Sequence, residues 1–247
     1  MSANSDQPLD CTPAFSCGDA VAIAQSAFGI AGAAQPLPSE RDQNFALTTR
    51  EGTRYVLKIA KSDEDPQVLD FQNSALKHLH SHPTGLCIPA LIPARDGADL
   101  VQIRGMGGRS YFSRMLNWIE GDIFAHASPH DAVLLDSLGT SLAAVDAALA
   151  SFRHPAMNRK LHWDLRHVGL ALEHLPLLAP QRRDLVGEFR AGWENVDWST
   201  LRSSVIHGDA NDYNLIVRDG RIVGLLDFGD MVHSATICDL EIGRAHV

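Results

Sequence analysis

The sequence predicts an α+β protein of two lobes, on three observations. Up to about residue 119 the apolar residues alternate in short runs, as in strands with one buried face. From about residue 120 they recur at three- and four-residue spacing, as in helices. The change falls at Trp118-Ile-Glu-Gly121, where a turn signal separates the two patterns. The 247 residues suit one large domain or two small lobes, and a hydrophobic fraction of 45% supplies a core for each.

In chain order, residues 1–17 are polar, carry two prolines and predict a flexible arm. The first lobe then runs over 18–119. A helix is expected from Asp19 to about Ile30, with Val21, Ala24, Ala27 and Phe28 on one side. Gln35–Asn44 reads as a turn-rich polar stretch. Strands are expected at Phe45–Thr49 and Tyr55–Ala60 around the turn Glu51-Gly52. Residues 66–80 predict a helix through Val68, Phe71, Ala75, Leu76 and Leu79, with Pro66 in its first turn. Two further strands, Leu100–Ile103 and Ser110–Ile119, flank the turn Gly105–Gly108. The second lobe, 120–240, predicts a long helix over 129–152 and shorter ones over 164–174 and 180–192. Val205–Ile206 then leads into a polar loop, followed by strands Leu215–Arg218 and Ile222–Leu226 joined by Asp219-Gly220.

A net charge of −9 repels polyphosphate backbones, which argues against a nucleic-acid partner and favours a cationic small molecule. Cys11, Cys17, Cys87 and Cys238 form no C-x-x-C pair and lack the density of a disulfide scaffold, as in a reducing, cytoplasmic setting. The N-terminus shows no signal peptide, and no stretch reads as a membrane span, so no membrane partner is expected.

The chemistry-bearing segment is His207-Gly-Asp-Ala-Asn-Asp-Tyr-Asn214, then strand, turn and strand, then Asp227-Phe-Gly-Asp230. Phosphoryl transfer needs a carboxylate to orient the attacking hydroxyl and oxygen ligands for metal ions over the phosphates. Asp209 supplies the carboxylate, Asn214 an amide ligand on the same loop, and Asp227 a second ligand at the end of the hairpin. Alone, Asp209 and Asn214 would read as turn formers and Asp227 as a strand cap. The His-Gly-Asp start, the hairpin spacer and the Asp-Phe-Gly end together point to catalysis. Upstream, Tyr55-Val-Leu-Lys-Ile59 carries a strand lysine, Lys58, which alone would read as an ordinary solvent-facing lysine and with the catalytic loop downstream reads as the lysine that grips a nucleotide phosphate.

These segments, with Ser39-Glu-Arg-Asp-Gln-Asn-Phe45 and Phe71-Gln-Asn73, resemble the aminoglycoside phosphotransferase and choline kinase superfamily, and within it the hydroxylysine kinases. The resemblance covers about residues 15–240. It implies a two-lobed protein-kinase-like fold with the site between the lobes. It also implies Mg²⁺ on Asn214 and Asp227, and ATP or GTP as donor. The implied acceptor is a small hydroxylated amine. Hydroxylysine comes first, with homoserine, other amino alcohols and aminoglycosides as alternatives. A non-catalytic kinase-like module of a longer chain that includes an aminotransferase is a second alternative. The resemblance leaves the oligomeric state open.

Three departures stand out. No Gly-x-Gly-x-x-Gly loop precedes Lys58; Ser39–Asn44 resembles a glycine-poor nucleotide loop in which Ser39 and Asn44 donate, or is an ordinary polar turn. The helix position that would pair with Lys58 falls on Gln72, so its charge would come from Asp70 or Glu64 instead. Asn211 stands where protein-serine kinases carry a loop lysine, which points to a small-molecule acceptor.

His207 reads as an orienter of the catalytic loop. Asp230, Asp212 and Asp164 are candidates to face an ammonium group. For the first two the alternative is a solvated loop acid, and for Asp164 it is a helix N-cap. Residues 241–247 back-translate as GAG ATC GGA AGA GCA CAC GTC, which from its second base resembles a sequencing adaptor. The segment is therefore expected to be non-native and the second lobe truncated.

Overall fold

The computed structural model describes residues 11–105, 108–161 and 163–244. The chain divides into two compact units. One runs up to Asn73 and includes Pro89–Trp118; the other takes Ser74–Ile88 and the chain from Ile119 on.

The first unit is a six-stranded antiparallel sheet with a helix at its N-terminal end. Helix α1 (Cys17–Ile23) starts at a capping box, in which Ser16 accepts from Asp19 N–H while the Asp19 carboxylate accepts from Ser16 N–H. It runs into a wider turn over Ala24–Phe28 and ends at Gly29, whose φ of 74° stops it. Of the arm expected over 1–17, residues 1–10 lie outside the described residues. Residues 11–17 are tied down, because Phe15 exchanges two 2.8 Å hydrogen bonds with the Gln43 side chain and Ser62 N–H donates to Cys11 O.

The strands are β1 (Ala33–Leu37), β2 (Gln43–Thr48), β3 (Arg54–Ile59), β4 (Leu91–Ile92), β5 (Val101–Arg104) and β6 (Ser110–Asn117), in the order β1-β2-β3-β6-β4 with β5 also on β6. The expected turn stretch at 35–44 is thus shorter, since Gln35–Leu37 pair with β2. β1 is an edge strand carrying Pro36 and shows no regular alternation of burial, so it leaves no strand signature in the sequence. The sheet buries Phe45, Leu47, Leu57, Ile59 and Met115 against Ala20, Ala24 and Phe28. Helix α2 (Pro66–Ser81) contributes its first half to this unit.

The second unit is mainly helical. Helix α3 (Ala132–Leu149) is N-capped by Asp131 and buries Leu134, Leu142, Val145 and Leu149. With 18 residues and a mean hydropathy of 1.5 it is long and apolar enough to cross a membrane by those two measures alone, which corrects the expectation that no stretch comes near a span. It carries Asp136 and Asp146 within that length. The helix expected over 164–174 is instead a single turn at Leu165–His167, α4 (Gly169–Leu172) and another turn at Leu175–Leu177, which holds Pro176. Helix α5 (Pro180–Glu194) follows. Strand β7 (Asp122–Ile123) joins the hairpin of β9 (Leu215–Arg218) and β10 (Arg221–Leu225), while β8 (Ser203–Ile206) pairs with β11 (Val232–Ala235). The Asp219-Gly220 turn has φ of 53° and 69°, the left-handed pair that a two-residue hairpin requires. Helix α6 (Ile237–Arg244) includes residues 241–244 of the expected tail; 245–247 lie outside the described residues.

Candidate active site

The strand β8 delivers the chain to the polar loop at His207, and the β9–β10 hairpin returns it to Asp227. Asp209 is held from two sides. Asn211 Nδ2 donates to its Oδ1 at 2.7 Å, and Asn214 Nδ2 donates to its Oδ2 at 2.8 Å and to its carbonyl at 2.9 Å. Those bonds turn the Asn214 amide so that Oδ1 faces away from Asp209. Asn211, seen in the sequence only as a replaced lysine, thus serves as a clamp on the carboxylate.

His207, wholly buried, shapes the loop. Asp209 N–H donates to its Nδ1 at 3.2 Å, so Nδ1 is unprotonated and Nε2–H donates to Leu226 O at 2.8 Å. The Phe228 ring packs edge-on against the imidazole, centroids 4.7 Å apart. Gly208, at φ 78°, lies so close to Asp230 O that a Cβ there would sit 2.5 Å from it. Burial raises the Asp209 carboxyl above its ordinary value, with the carboxylates of Asp230 and Asp227 adding to the rise and the Asn211 hydrogen bond opposing it.

Asp227 is exposed, has φ 51°, and accepts Gly229 N–H at 3.2 Å through Oδ1. A hard divalent cation takes oxygen ligands and, in kinase-type sites, uses one or two protein groups plus phosphates and water. The Asp227 carboxylate and the turned-out Asn214 oxygen fit that donor set. Among the described residues no group of three His, Cys, Asp or Glu side chains forms a metal cluster. Asp212 has a buried Oδ1 without a hydrogen-bond partner, while its carbonyl accepts Ala125 N–H. Asp230 is half-buried at the end of the turn after Asp227.

Asp164 is the helix N-cap of the two readings. It is 2% exposed, accepts Arg166 N–H at 3.0 Å and Ser234 Oγ–H at 2.8 Å, and pairs with the Arg166 guanidinium. Burial works against its charge, but those bonds outweigh it and hold the carboxyl below its ordinary value. Both of its oxygens are engaged inside the protein.

In the first unit, Asn44, Lys58 and Arg114 are successive cross-strand partners on β2, β3 and β6, so their side chains share one face of the sheet. All three are buried. Asn44 Oδ1 has no hydrogen-bond partner. Lys58 Nζ lies 4.0 Å from Asp42 Oδ2, so a carboxylate of the loop before β2 stands beside it. Gln72, expected to serve Lys58, accepts from Arg114 through Oε1, and Asn73 Oδ1 accepts from the same guanidinium at 2.7 Å. Arg114 went unnoticed in the sequence; its one signal was a cation in the middle of an apolar strand. Ser39 is exposed in the loop after β1.

This fold and these loops define a phosphotransferase. The family described as phosphotransferase enzymes matches residues 33–243, and the chain belongs to it; it is a small-molecule kinase. The hydroxylysine kinase of Mus musculus is 30% identical over 93% of this chain and 68% of that protein. The Danio rerio hydroxylysine kinase is 28% identical over 93% of this chain and 69% of that protein. Among solved structures, an amicoumacin kinase in complex with AMP-PNP and Ca²⁺ superposes with TM-score 0.71 at 17% identity, covering 92% of this chain and 68% of that one. A microcompartment-associated aminopropanol kinase gives 0.72 at 16%, covering 92% of this chain and 73% of that one. Those two likenesses establish the kinase-like fold.

Proposed function

We propose that the protein transfers the γ-phosphate of ATP or GTP to the hydroxyl of a small amine-bearing acceptor, with hydroxylysine as the first choice. The observation that carries this reading is the pinned Asp209 carboxylate, clamped by Asn211 and Asn214 on the loop that Asn214 closes. A carboxylate fixed in that way accepts or orients the proton of an attacking hydroxyl without spending energy on reorganisation. Asn214 and Asp227 hold Mg²⁺, which when bound neutralises charge on the phosphates. Lys58 grips a phosphate oxygen, Asn44 and Ser39 offer further polar contacts to the nucleotide, and Gln72 acts indirectly through Arg114. His207 keeps the loop in shape. Asp212 and Asp230 supply negative charge for the acceptor's ammonium group, in keeping with the net charge of −9.

The choice of hydroxylysine rests on the 30% identity to a relative that bears that name. A phosphotransfer screen with Mg²⁺ and ATP or GTP over hydroxylysine, homoserine, simple amino alcohols and aminoglycosides tests it. Preferential phosphorylation of hydroxylysine is the expected result. Preference for another compound overturns the acceptor, and no transfer to any compound overturns the proposed reaction.

A further inference from the structure

The carboxylate proposed above to bind the metal sits on a strained turn. Asp227 has φ 51°, a left-handed conformation that a residue with a Cβ keeps only when its surroundings hold it there. Asp227 Oδ1 accepts Gly229 N–H at 3.2 Å, and the Phe228 ring is buried against the His207 imidazole. A further hold comes from 70 positions earlier in the chain, where Arg159 Nη1 donates to Gly229 O at 3.0 Å. Gly229 is thus gripped at its N–H by Asp227 and at its C=O by Arg159.

The chain presents Arg159 from a fixed backbone. The residue closes the single turn Pro155–Asn158, which starts where His154 Nδ1 accepts Ala156 N–H at 3.1 Å. Two positions further on, Leu161 is buried with Ile206 and Val232. A guanidinium keeps its proton at any ordinary pH, and a charged donor makes a stronger hydrogen bond than a neutral one. The neighbouring catalytic loop has an anchor of its own. Asp239, on α6 and 1% exposed, accepts Gly208 N–H through Oδ1 at 2.7 Å and His207 N–H through Oδ2 at 3.2 Å. The loop before Asp209 and the turn after Asp227 are therefore secured by different side chains.

We propose that Arg159 is a positioning residue for Mg²⁺ binding. By holding Gly229 O it keeps the Asp227 turn in its left-handed form and so fixes the carboxylate in advance of the metal. This rests on the reading of Asp227 as a Mg²⁺ ligand. Without the Arg159 bond the strain at Asp227 is free to relax, and the turn must be reordered each time the metal binds. The loss then falls on metal affinity, beyond any change in the stability of the fold.

Two measurements on the full chain test this. In the first, Mg²⁺ is titrated into protein with saturating nucleotide, and the concentration that gives half of the Mg²⁺-dependent melting shift is read. Arg159→Met should raise that concentration by about tenfold, the worth of one hydrogen bond from a charged donor. In the second, protein without nucleotide or metal carries ¹³C at glycine carbonyls and ¹⁵N at aspartates, which singles out the pairs Gly18-Asp19, Gly121-Asp122, Gly208-Asp209 and Gly229-Asp230. The Gly229 carbonyl resonance should move upfield in Arg159→Met, as a carbonyl does on losing a hydrogen bond, while that of Gly208 stays in place. Arg159→Gln, which removes the charge and shortens the reach, carries the same expectations if the methionine variant does not fold. A Mg²⁺ midpoint within about twofold of wild type, whatever the melting temperature, overturns the proposal, and so does an unmoved Gly229 carbonyl. Asp227→Ala separates this inference from the reading beneath it. A Mg²⁺ titration unchanged in Asp227→Ala removes Asp227 as the ligand; one lost in Asp227→Ala and unchanged in Arg159→Met strikes the role of Arg159 alone.

Discussion

Replacing Gly208 by alanine should damage the catalytic loop out of proportion to the one methyl group added. The backbone there has φ 78°, a conformation that costs a residue with a Cβ about 1–2 kcal/mol. The new Cβ would also sit 2.5 Å from Asp230 O and 3.2 Å from Asp230 C, and both are backbone atoms that no rotamer change can move aside. Relieving such overpacking typically costs a further 1–3 kcal/mol, so the variant should lose about 2–5 kcal/mol in all. For a chain of this size each kcal/mol lowers the melting temperature by about 2–4 °C, so a drop of at least about 4 °C is expected in thermal unfolding. Gly139 is the control. It lies inside α3, and a Cβ there would meet nothing within 4 Å. Gly139→Ala should therefore raise stability by about 0.5–1 kcal/mol through helix propensity and a stiffer unfolded chain. Turnover of Gly208→Ala should fall as well, because the strain is relieved by shifting either the segment before Asp209 or the Asp227–Asp230 turn. A Gly208→Ala protein that melts with wild type and turns over at the wild-type rate would refute this account of the loop's packing.

Asp227→Ala should abolish the Mg²⁺-dependent rise in melting temperature on adding nucleotide, because a ligand stabilises only the state that binds it. Arg114→Met should cost about 2–4 kcal/mol in denaturant unfolding, since it takes a charged donor from the Gln72 and Asn73 oxygens. Hydroxylysine should outcompete its N-acylated analogue, and its apparent KM should rise with salt as the acidic groups that attract it are screened.

The loop from His207 to Asp227 was legible in the sequence because its residue types are dictated by chemistry and its spacing by a short hairpin. Lys58 was singled out only because the catalytic loop lies downstream of its strand; the structure places it buried on β3. The supports of these groups were not legible. Asp239 reaches His207 from 32 positions away, and Arg114 reaches Gln72 from 42, so only the folded chain brings them together. Asp164 carried two readings because a carboxylate before a helical turn looks the same whether it caps that turn or awaits a ligand; Ser234 and Arg166 decide between them. Among the elements, β1 hid behind Pro36 and β7 is two residues long, too short for any alternation to show. The segment 164–174 broke into separate turns although its apolar spacing suggested one helix.

The most direct test of the central claim is phosphotransfer from ATP or GTP to hydroxylysine by Asp209→Asn. The substitution keeps the size of the side chain while removing the carboxylate proposed to take the hydroxyl proton. A fall in kcat on the order of 10²–10⁴, with the nucleotide-dependent melting shift retained, is the predicted result. A kcat within about threefold of wild type would contradict the assignment of Asp209 as the base, and with it the proposed reaction.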